Sequence, residues 1–370
     1  MPAEVYSAER NIDGCALIGS TEHQIDPTVR NILITGAAGF IGSWVTRHLT
    51  IVYSAAYNIV CYDKLDSCAT LKNTACLNGH SNFRFVHGDI TDRQAVVQCM
   101  REYDIDTVLH FAALSHVDAS FRTPLEFTET NVKGTQIMLE AAVKSGVKKF
   151  IHISTDEVHG EVGCESLDLL EDSALAPSNP YAASKAAAEM YVHAYAKSYK
   201  LPCVIVRSNN VYGPHQYPEK LIPKFASRLD RGRPLTLHGD GKHRRRYLFA
   251  GDAVNAIDTV LHKGQPGETY NMGSVDEVSN LELARMMLEE FGIGEELAAK
   301  WIKHTKDRPF NDSRYAINSE KLQKLGWRPQ VPFAQGLRMT IQWYRSVGRA
   351  WWGDVEEALG LIPEENGKTV

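Results

Sequence analysis

The 370-residue sequence contains seven cysteines, an odd number, and no Cys-x-x-Cys pair among them. A disulfide frame is therefore not expected, nor is a zinc site or any other metal centre. No apolar run reaches membrane-spanning length, and there is no internal repeat or low-complexity tract. Positive charge is not in excess either. The formal net charge of -5 gives no electrostatic reason to expect nucleic acid or an anionic membrane as a partner. The first thirty residues carry Glu4, Glu9, Asp13, Glu22 and Asp26 and lack the apolar core of a signal peptide. Residues 1–29 are accordingly expected to form a polar, mobile lead-in, and the chain to be cytoplasmic. What is present is a globular composition, 44% hydrophobic and 23% charged, at a length that suits one large or two fused domains.

Asn31-Ile32-Leu33-Ile34 reads as a short buried strand, and Thr35-Gly36-Ala37-Ala38-Gly39-Phe40-Ile41-Gly42 turns it into a helix. Gly36 permits the tight turn, Gly39 lets the backbone approach a pyrophosphate, and Gly42 allows close helix-on-strand packing. Phe40 and Ile41 lie at the helix N-terminus that would face the phosphates. A second strand ends in Asp63, about twenty residues on, where a ribose 2′-hydroxyl is expected. An acid there repels a 2′-phosphate, so the implied cofactor is NAD rather than NADP. A glycine turn that binds nothing is the other reading, and the strand-turn-helix context argues against it.

Further strand-like runs at residues 83–87, 107–111, 149–154 and 203–207 alternate with helical stretches. This is the rhythm of an α/β fold with a doubly wound parallel sheet, a Rossmann domain over residues 30–207. Asp89-Ile90 and Ala112-Ala113 follow two of the strands at carboxyl ends, where ligands collect. Asp89 is either an adenine contact or a turn or N-cap carboxylate. Beyond Arg207 the pattern loosens into Pro- and Gly-punctuated segments, with helical signals at 280–291 and 333–346. Residues 208–362 are read as a smaller substrate-binding lobe, some segments of which return to the first domain, and 363–370 as a tail.

The chemistry gathers in two places. Ser154-Thr155-Asp156-Glu157 ends the fifth strand, and Tyr181 and Lys185 lie four residues apart after Pro180, on one face of a helix starting there. An ammonium beside a phenol, together with a positive nicotinamide ring, would lower the tyrosine pKa and make Tyr181 a general base. Thr155 can hydrogen-bond a substrate hydroxyl. If Asp156 and Glu157 are buried together, like charges push one pKa up and leave one acid and one base, a division that suits eliminating water. The plainer alternatives are a surface Tyr-Lys pair, an Asp156 that caps a turn and a Glu157 in solvent.

Thr35-Gly36-x-x-Gly39-x-x-Gly42 with Tyr181-x-x-x-Lys185 resembles the extended short-chain dehydrogenase/reductases. Ser154-Thr155-Asp156-Glu157-Val158 resembles the nucleotide-sugar 4,6-dehydratases within them, and the likeness runs from about Asn31 to Leu361. Asp-Glu, where related families have Ser-Glu or lack both acids, points to the glucose 4,6-dehydratases. Asp63-Lys64-Leu65-Asp66, Leu71-Lys72-Asn73, Arg308-Pro309-Phe310-Asn311-Asp312 and Trp351-Trp352-Gly353-Asp354-Val355 look like the UDP-glucose 4,6-dehydratase portion of plant rhamnose synthases and their stand-alone fungal relatives. The bacterial dTDP-glucose enzymes are less similar. His159 stands where the family usually has tyrosine, and Arg246-Tyr247 where the bacterial group has Asp-Trp; a structural substitution is expected at His159.

The resemblance implies conversion of UDP-glucose to UDP-4-keto-6-deoxyglucose, within rhamnose biosynthesis. Tyr181, helped by Thr155 and Lys185, would take the 4-hydroxyl proton while hydride passes from C4 to NAD. Glu157 would remove the C5 proton as Asp156 protonates the departing 6-hydroxyl, and hydride would return to C6. The implied substrate contacts are Ser115, His116, Asn210, Lys220, Leu221, Arg245, Asn271 and Arg308, with Asn210, Lys220, Arg245 and Arg308 at the diphosphate. Arg244 and Arg246 read as a solvated cationic face. A homodimer formed through helices near the Tyr-Lys segment is implied too. With no second enzyme domain after Val370, the keto sugar is expected to pass to a separate protein. The alternatives are a dTDP-glucose 4,6-dehydratase, a 4-epimerase, and a cofactor-binding scaffold without turnover.

Overall fold

A computed structural model describes residues 17–163 and 166–360. The strands are β1 Asn31–Thr35, β2 Asn58–Asp63, β3 Phe83–His87, β4 Thr107–His110, β5 Lys149–Thr155, β6 Cys203–Ser208, β7 Asn210–Tyr212, β8 Leu235–His238, β9 Arg244–Phe249, β10 Thr269–Met272, β11 Glu277–Ser279 and β12 Ile302–Thr305. Seven of them form one sheet in the order β10-β6-β5-β4-β1-β2-β3, with every neighbouring pair parallel. This is the expected doubly wound sheet, and its strand order reverses between β1 and β4, where such folds place their ligand crevice.

A parallel sheet must be covered on both faces, and the period of two along each strand divides the side chains between the layers. Ile32 and Ile34 enter one core while Leu33 enters the other; Ile151 and Ile153 oppose Phe150, and Val204 and Val206 oppose Cys203 and Ile205. Burial on both faces is why these strands read as unbroken apolar runs.

The second lobe holds a three-stranded sheet, β11-β9-β7, and the pair β12-β8. Its helices Asn280–Glu290, which begins with a Ser279/Glu282 capping box, and Phe333–Trp343, which continues through a π-turn at Tyr344–Gly348, match the helical signals. The chain also returns to the main sheet, where β10 pairs with β6. Among the described residues no helix is long and apolar enough to cross a membrane, and no cluster of His, Cys, Asp or Glu side chains is arranged to hold a metal ion.

Residues 1–16 of the expected lead-in, like the tail 363–370, lie outside the described residues. Over 17–29 the expectation of a mobile segment is corrected. Leu17 is fully buried and its carbonyl accepts from Arg47 Nε at 3.0 Å. Ser20 N donates to Asn255 Oδ1 at 2.6 Å, and Lys149 Nζ donates to Asp26 Oδ2 at 3.2 Å. Thr21 Oγ1 donates to Asp258 Oδ2 at 2.6 Å. Asp258 also accepts from the Tyr53 hydroxyl at 3.0 Å and lies 3.3 Å from His48 Nε2 and 3.1 Å from His262 Nδ1. Burial pushes the Asp258 carboxyl up, but the hydrogen bonds from His262, His48 and Thr21 outweigh it and hold the group well below the usual carboxylate range. The polar residues of this segment were thus answered by partners far along the chain.

Asp258→Ala strips the acceptor from several buried donors at once, and should cost about 3 kcal/mol in urea denaturation. Thr21→Val removes one hydrogen bond and should cost about 1 kcal/mol in the same measurement.

Candidate active site

The carboxyl end of β5 meets the start of the helix Pro180–Tyr199. Thr155 ends the strand, and its hydroxyl accepts from Glu157 N at 3.3 Å to cap the 3₁₀ turn Asp156–His159. Asn179 caps the helix, its Oδ1 accepting from Ala182 N at 2.8 Å, and Pro180 sets the first helical φ. The Asn179 amide also donates to Glu157 Oε2 at 3.3 Å, so one cap residue touches the 3₁₀ turn. Tyr181 and Lys185, one turn apart, are both buried. The surface-pair reading is therefore excluded.

Asp156 is only 3% exposed. Asn209 Nδ2 donates to its Oδ2 at 2.6 Å and Thr155 Oγ1 to its Oδ1 at 3.3 Å. Burial, reinforced by the charge of Glu157, raises its carboxyl to about 7, against the opposing pull of Asn209, Arg245 and Thr155. Glu157 accepts from Asn179 and lies 3.5 Å from the Tyr315 hydroxyl. The single proton of that hydroxyl goes to the closer Asp312, and the Arg245 guanidinium lies 4.5 Å from the Tyr315 ring centroid. The pair thus divides into an acid raised to about 7 and a neighbour that accepts from Asn179. Thr155 rather than Asp156 makes the cap.

Burial pushes the Tyr181 phenol up, as do the charges of Glu157 and Asp156, while a hydrogen bond with Thr155 pulls it down. Lys185 Nζ donates to the Ile153 carbonyl at 2.6 Å and lies 3.4 Å from His152 Nε2. Burial lowers the Lys185 ammonium to about 8, with Glu189 opposing. The expected lowering of the phenol by Lys185 is corrected here: desolvation and two neighbouring carboxylates outweigh an ammonium that is directed at a backbone carbonyl.

The glycine turn fits a dinucleotide. Gly36 has φ +66°, and a Cβ there would meet the Ala112 backbone at 2.8 Å; one at Gly42 would meet the Gly36 carbonyl at 2.3 Å. A Cβ at Gly39, the N-cap of the helix Phe40–Val52, would meet only the Gly36 carbonyl, at 3.2 Å, and no side chain caps that helix. The amides of Phe40 and Ile41 are thus free of a side-chain cap at the place a diphosphate needs them. Asp63, at the end of β2, accepts from Ala38 N at 2.9 Å and Leu65 N at 2.8 Å. Ala112 N donates to Thr35 Oγ1 at 3.2 Å, next to Ala113, and Ile90 is buried. Asp89 Oδ1 closes a turn on Thr91 N and Oγ1, both at 2.9 Å.

On the substrate side, Lys220 Nζ donates to the Ser115 carbonyl at 2.5 Å, and His116 lies 3.8 Å from Asp118 and 3.9 Å from Glu219. Arg308 Nε pairs with Asp118 Oδ1 at 2.5 Å. These ties bring Ser115, His116, Lys220 and Arg308 together across the two lobes, with Leu221 opening the next helix, Leu221–Asp230. Asn210 is exposed at the start of β7, and Arg245 Nη2 donates to Asn311 Oδ1 at 3.2 Å. Asn271 is corrected: it is 0% exposed, and its side-chain amide donates to the Leu169 carbonyl at 3.2 Å, which makes it an internal tie. Arg246 is corrected too, since it is bidentate to Asp168 at 2.6 and 2.8 Å rather than solvated, and Arg244 Nε pairs with Glu277 at 2.9 Å. His159 bridges the Arg207 guanidinium at 3.2 Å and the Ala174 carbonyl at 3.1 Å, a packing role. Asn179, Asn209 and Tyr315 were not foreseen. Asn179 had a signal, as the residue before a helix-opening proline; Tyr315 reaches Glu157 from 158 positions away and had none.

The family model described as GDP-mannose 4,6 dehydratase matches residues 33–340. A Mus musculus protein named dTDP-D-glucose 4,6-dehydratase is 47% identical over 336 residues, covering 90% of this chain and 94% of that one. The trifunctional UDP-glucose 4,6-dehydratase/UDP-4-keto-6-deoxy-D-glucose 3,5-epimerase/UDP-4-keto-L-rhamnose-reductase RHM3 of Arabidopsis thaliana is 47% identical over 332 residues, 89% of this chain but 49% of the longer protein. The crystal structure of the dTDP-glucose 4,6-dehydratase DesIV from Streptomyces venezuelae, with NAD and TYD bound, matches with a TM-score of 0.83 and 40% identity, over 87% of this chain and 99% of that one. The chain therefore belongs to the nucleotide-sugar 4,6-dehydratases, NAD-dependent hydro-lyases of the extended short-chain dehydrogenase/reductase family.

Proposed function

We propose that the protein dehydrates UDP-glucose to UDP-4-keto-6-deoxyglucose. The observation that carries the chemistry is the adjacent pair of acids, with the buried Asp156 raised to about 7 beside a half-buried Glu157 that accepts from Asn179. NAD, held by the Gly36–Gly42 turn, would supply a reversible hydride acceptor for C4 and donor for C6, and its positive ring would favour the Tyr181 phenolate. Tyr181 accepts the 4-hydroxyl proton while Thr155 hydrogen-bonds that oxygen, and Lys185 keeps an ammonium on the same helix face. The C4 ketone acidifies the C5 hydrogen, which Glu157 removes as Asp156 protonates the 6-hydroxyl, and water leaves. Glu157 then returns its proton to C5. The proton gained by Tyr181 balances the one lost by Asp156.

Asn210, Lys220, Arg245 and Arg308 are the proposed diphosphate contacts, since cations and amides suit phosphate oxygens. For the nucleotide, UDP is favoured by the four sequence stretches shared with the plant enzymes, from Asp63-Lys64-Leu65-Asp66 to Trp351-Trp352-Gly353-Asp354-Val355. A second reading, dTDP-glucose, is favoured by the equal identity to the mouse protein. A cytoplasmic homodimer supplying rhamnose formation is part of the same proposal.

Incubated separately with UDP-glucose and dTDP-glucose, the purified protein should remove one water from UDP-glucose, read by mass spectrometry. Dehydration of dTDP-glucose alone would move the assignment to the second reading. Glu157→Gln should keep its fold and bound NAD yet lose deuterium incorporation from solvent at C5; wild-type exchange would remove Glu157 from its role. Because Asp156 must carry its proton, and its folded value is raised to about 7, elimination should be fullest below that pH and decline above it. Asp156→Asn should slow elimination about 10²- to 10⁴-fold and abolish that alkaline limb in a pH-rate profile.

A further inference from the structure

Two sequence stretches with no part in the chemistry, Leu71-Lys72-Asn73 and Trp351-Trp352, meet in space. Asn73 is 1% exposed and makes three bonds to three different elements. Its amide donates to the Ala38 carbonyl at 2.8 Å, its own carbonyl accepts from Arg47 Nη1 at 2.5 Å, and its Oδ1 accepts from Trp351 Nε1 at 2.8 Å. Ala38 is the middle of the glycine turn. Its carbonyl also accepts from Thr70 N at 3.2 Å, and its amide donates to Asp63 at 2.9 Å. Arg47 lies on the helix that the turn opens. One buried side chain therefore links the turn to the C-terminal segment, while the backbone carbonyl of the same residue holds the helix.

That segment is anchored at its other side to the substrate lobe. Trp351 lies face-on to His215 with ring centroids 4.5 Å apart and planes at 11°, and Trp352 packs edge-on against Tyr217 at 5.1 Å. The Tyr344 hydroxyl donates to the Gln216 carbonyl, and Arg349 Nε pairs with Asp230 at 2.5 Å. Near the glycine turn, Lys72 Nζ donates to the carbonyls of Ala350 at 2.8 Å and Trp351 at 2.9 Å.

We propose that residues 344–352 are a strap that retains NAD, and that Asn73 is the positioning residue linking the strap to the glycine turn. The turn holds phosphate through backbone amides, so its grip depends on the shape of the backbone, and Asn73 fixes that shape at Ala38. A reaction that removes hydride at one carbon and replaces it at another fails if the reduced cofactor leaves in between. The strap answers that need whichever nucleotide carries the sugar.

The test uses full-length protein as purified, without turnover. It measures NAD bound per chain after prolonged gel filtration and the rate at which bound NAD exchanges with isotope-labelled NAD. Trp351→Phe keeps the ring and removes the donor; Asn73→Ala removes the link; Lys72→Ala removes only exposed contacts and leaves folding intact. Asn73→Ala and Trp351→Phe should exchange NAD about tenfold faster than wild type, with Lys72→Ala intermediate. Thr21→Val, which lowers stability away from the strap, should exchange like wild type. Wild-type exchange in Trp351→Phe and Lys72→Ala would overturn the proposal, and so would an equal acceleration in Thr21→Val, which would reduce the effect to general loosening.

Discussion

Two neighbouring carboxyl groups at the end of a buried strand repel each other, and removing one of them from water makes its charge costlier still. Asp156 resolves the conflict by keeping a proton to about neutral pH, although the groups that hydrogen-bond it pull the other way. Asn209, from the junction of β6 and β7, satisfies one oxygen; Thr155 satisfies the other. Asn179, at the head of a helix, supplies a donor to Glu157, and Tyr315, from the far end of the chain, lies 3.5 Å from it. Three separate stretches of chain must converge on one turn. The second lobe is what brings the last of them there.

The parts that depend on local pattern were readable from residues alone. Strands β1, β2, β4, β5 and β6 stand out because both of their faces are buried, and the glycine turn because its backbone needs residues without side chains. Thr155, Asp156, Glu157, Tyr181 and Lys185 are reached through two short segments that the fold sets side by side. Elsewhere the pattern fails for physical reasons. Strands such as β7 and β11 are three residues long and carry no usable period. Residues 17–29 look solvated because their partners, Asn255 and Asp258 among them, lie more than two hundred positions away. The desolvation that raises the Tyr181 phenol was not legible either, since it is a property of the folded site. Asn271 and Arg246 show the same limit: residue type does not reveal whether an amide or guanidinium faces a cleft or a neighbouring segment.

The ion pairs and hydrogen bonds across the cleft join the lobes. Lys220 on Ser115 and Arg308 on Asp118 place cations from the second lobe against the loop that follows β4. At the contacts proposed above, a diphosphate would compete with protein acceptors already in place. Its binding would then be an exchange of partners for the cations, with less new charge neutralised than a count of arginines and lysines would suggest.

The pairing of β10 with β6 bears on how the molecule can be cut or rebuilt. Because the sheet's outermost strand is contributed by residues 269–272, after much of the second lobe has been traversed, the dinucleotide-binding half is not a contiguous stretch of chain. A fragment ending near Arg207 would leave the flank of β6 as an open row of unpaired amides and carbonyls, a template for sticking to other chains. Engineers who wish to transplant the substrate lobe onto another member of the family must therefore carry β10 with the recipient's sheet and join the insert at three seams, one before β7 and one on each side of that returning strand.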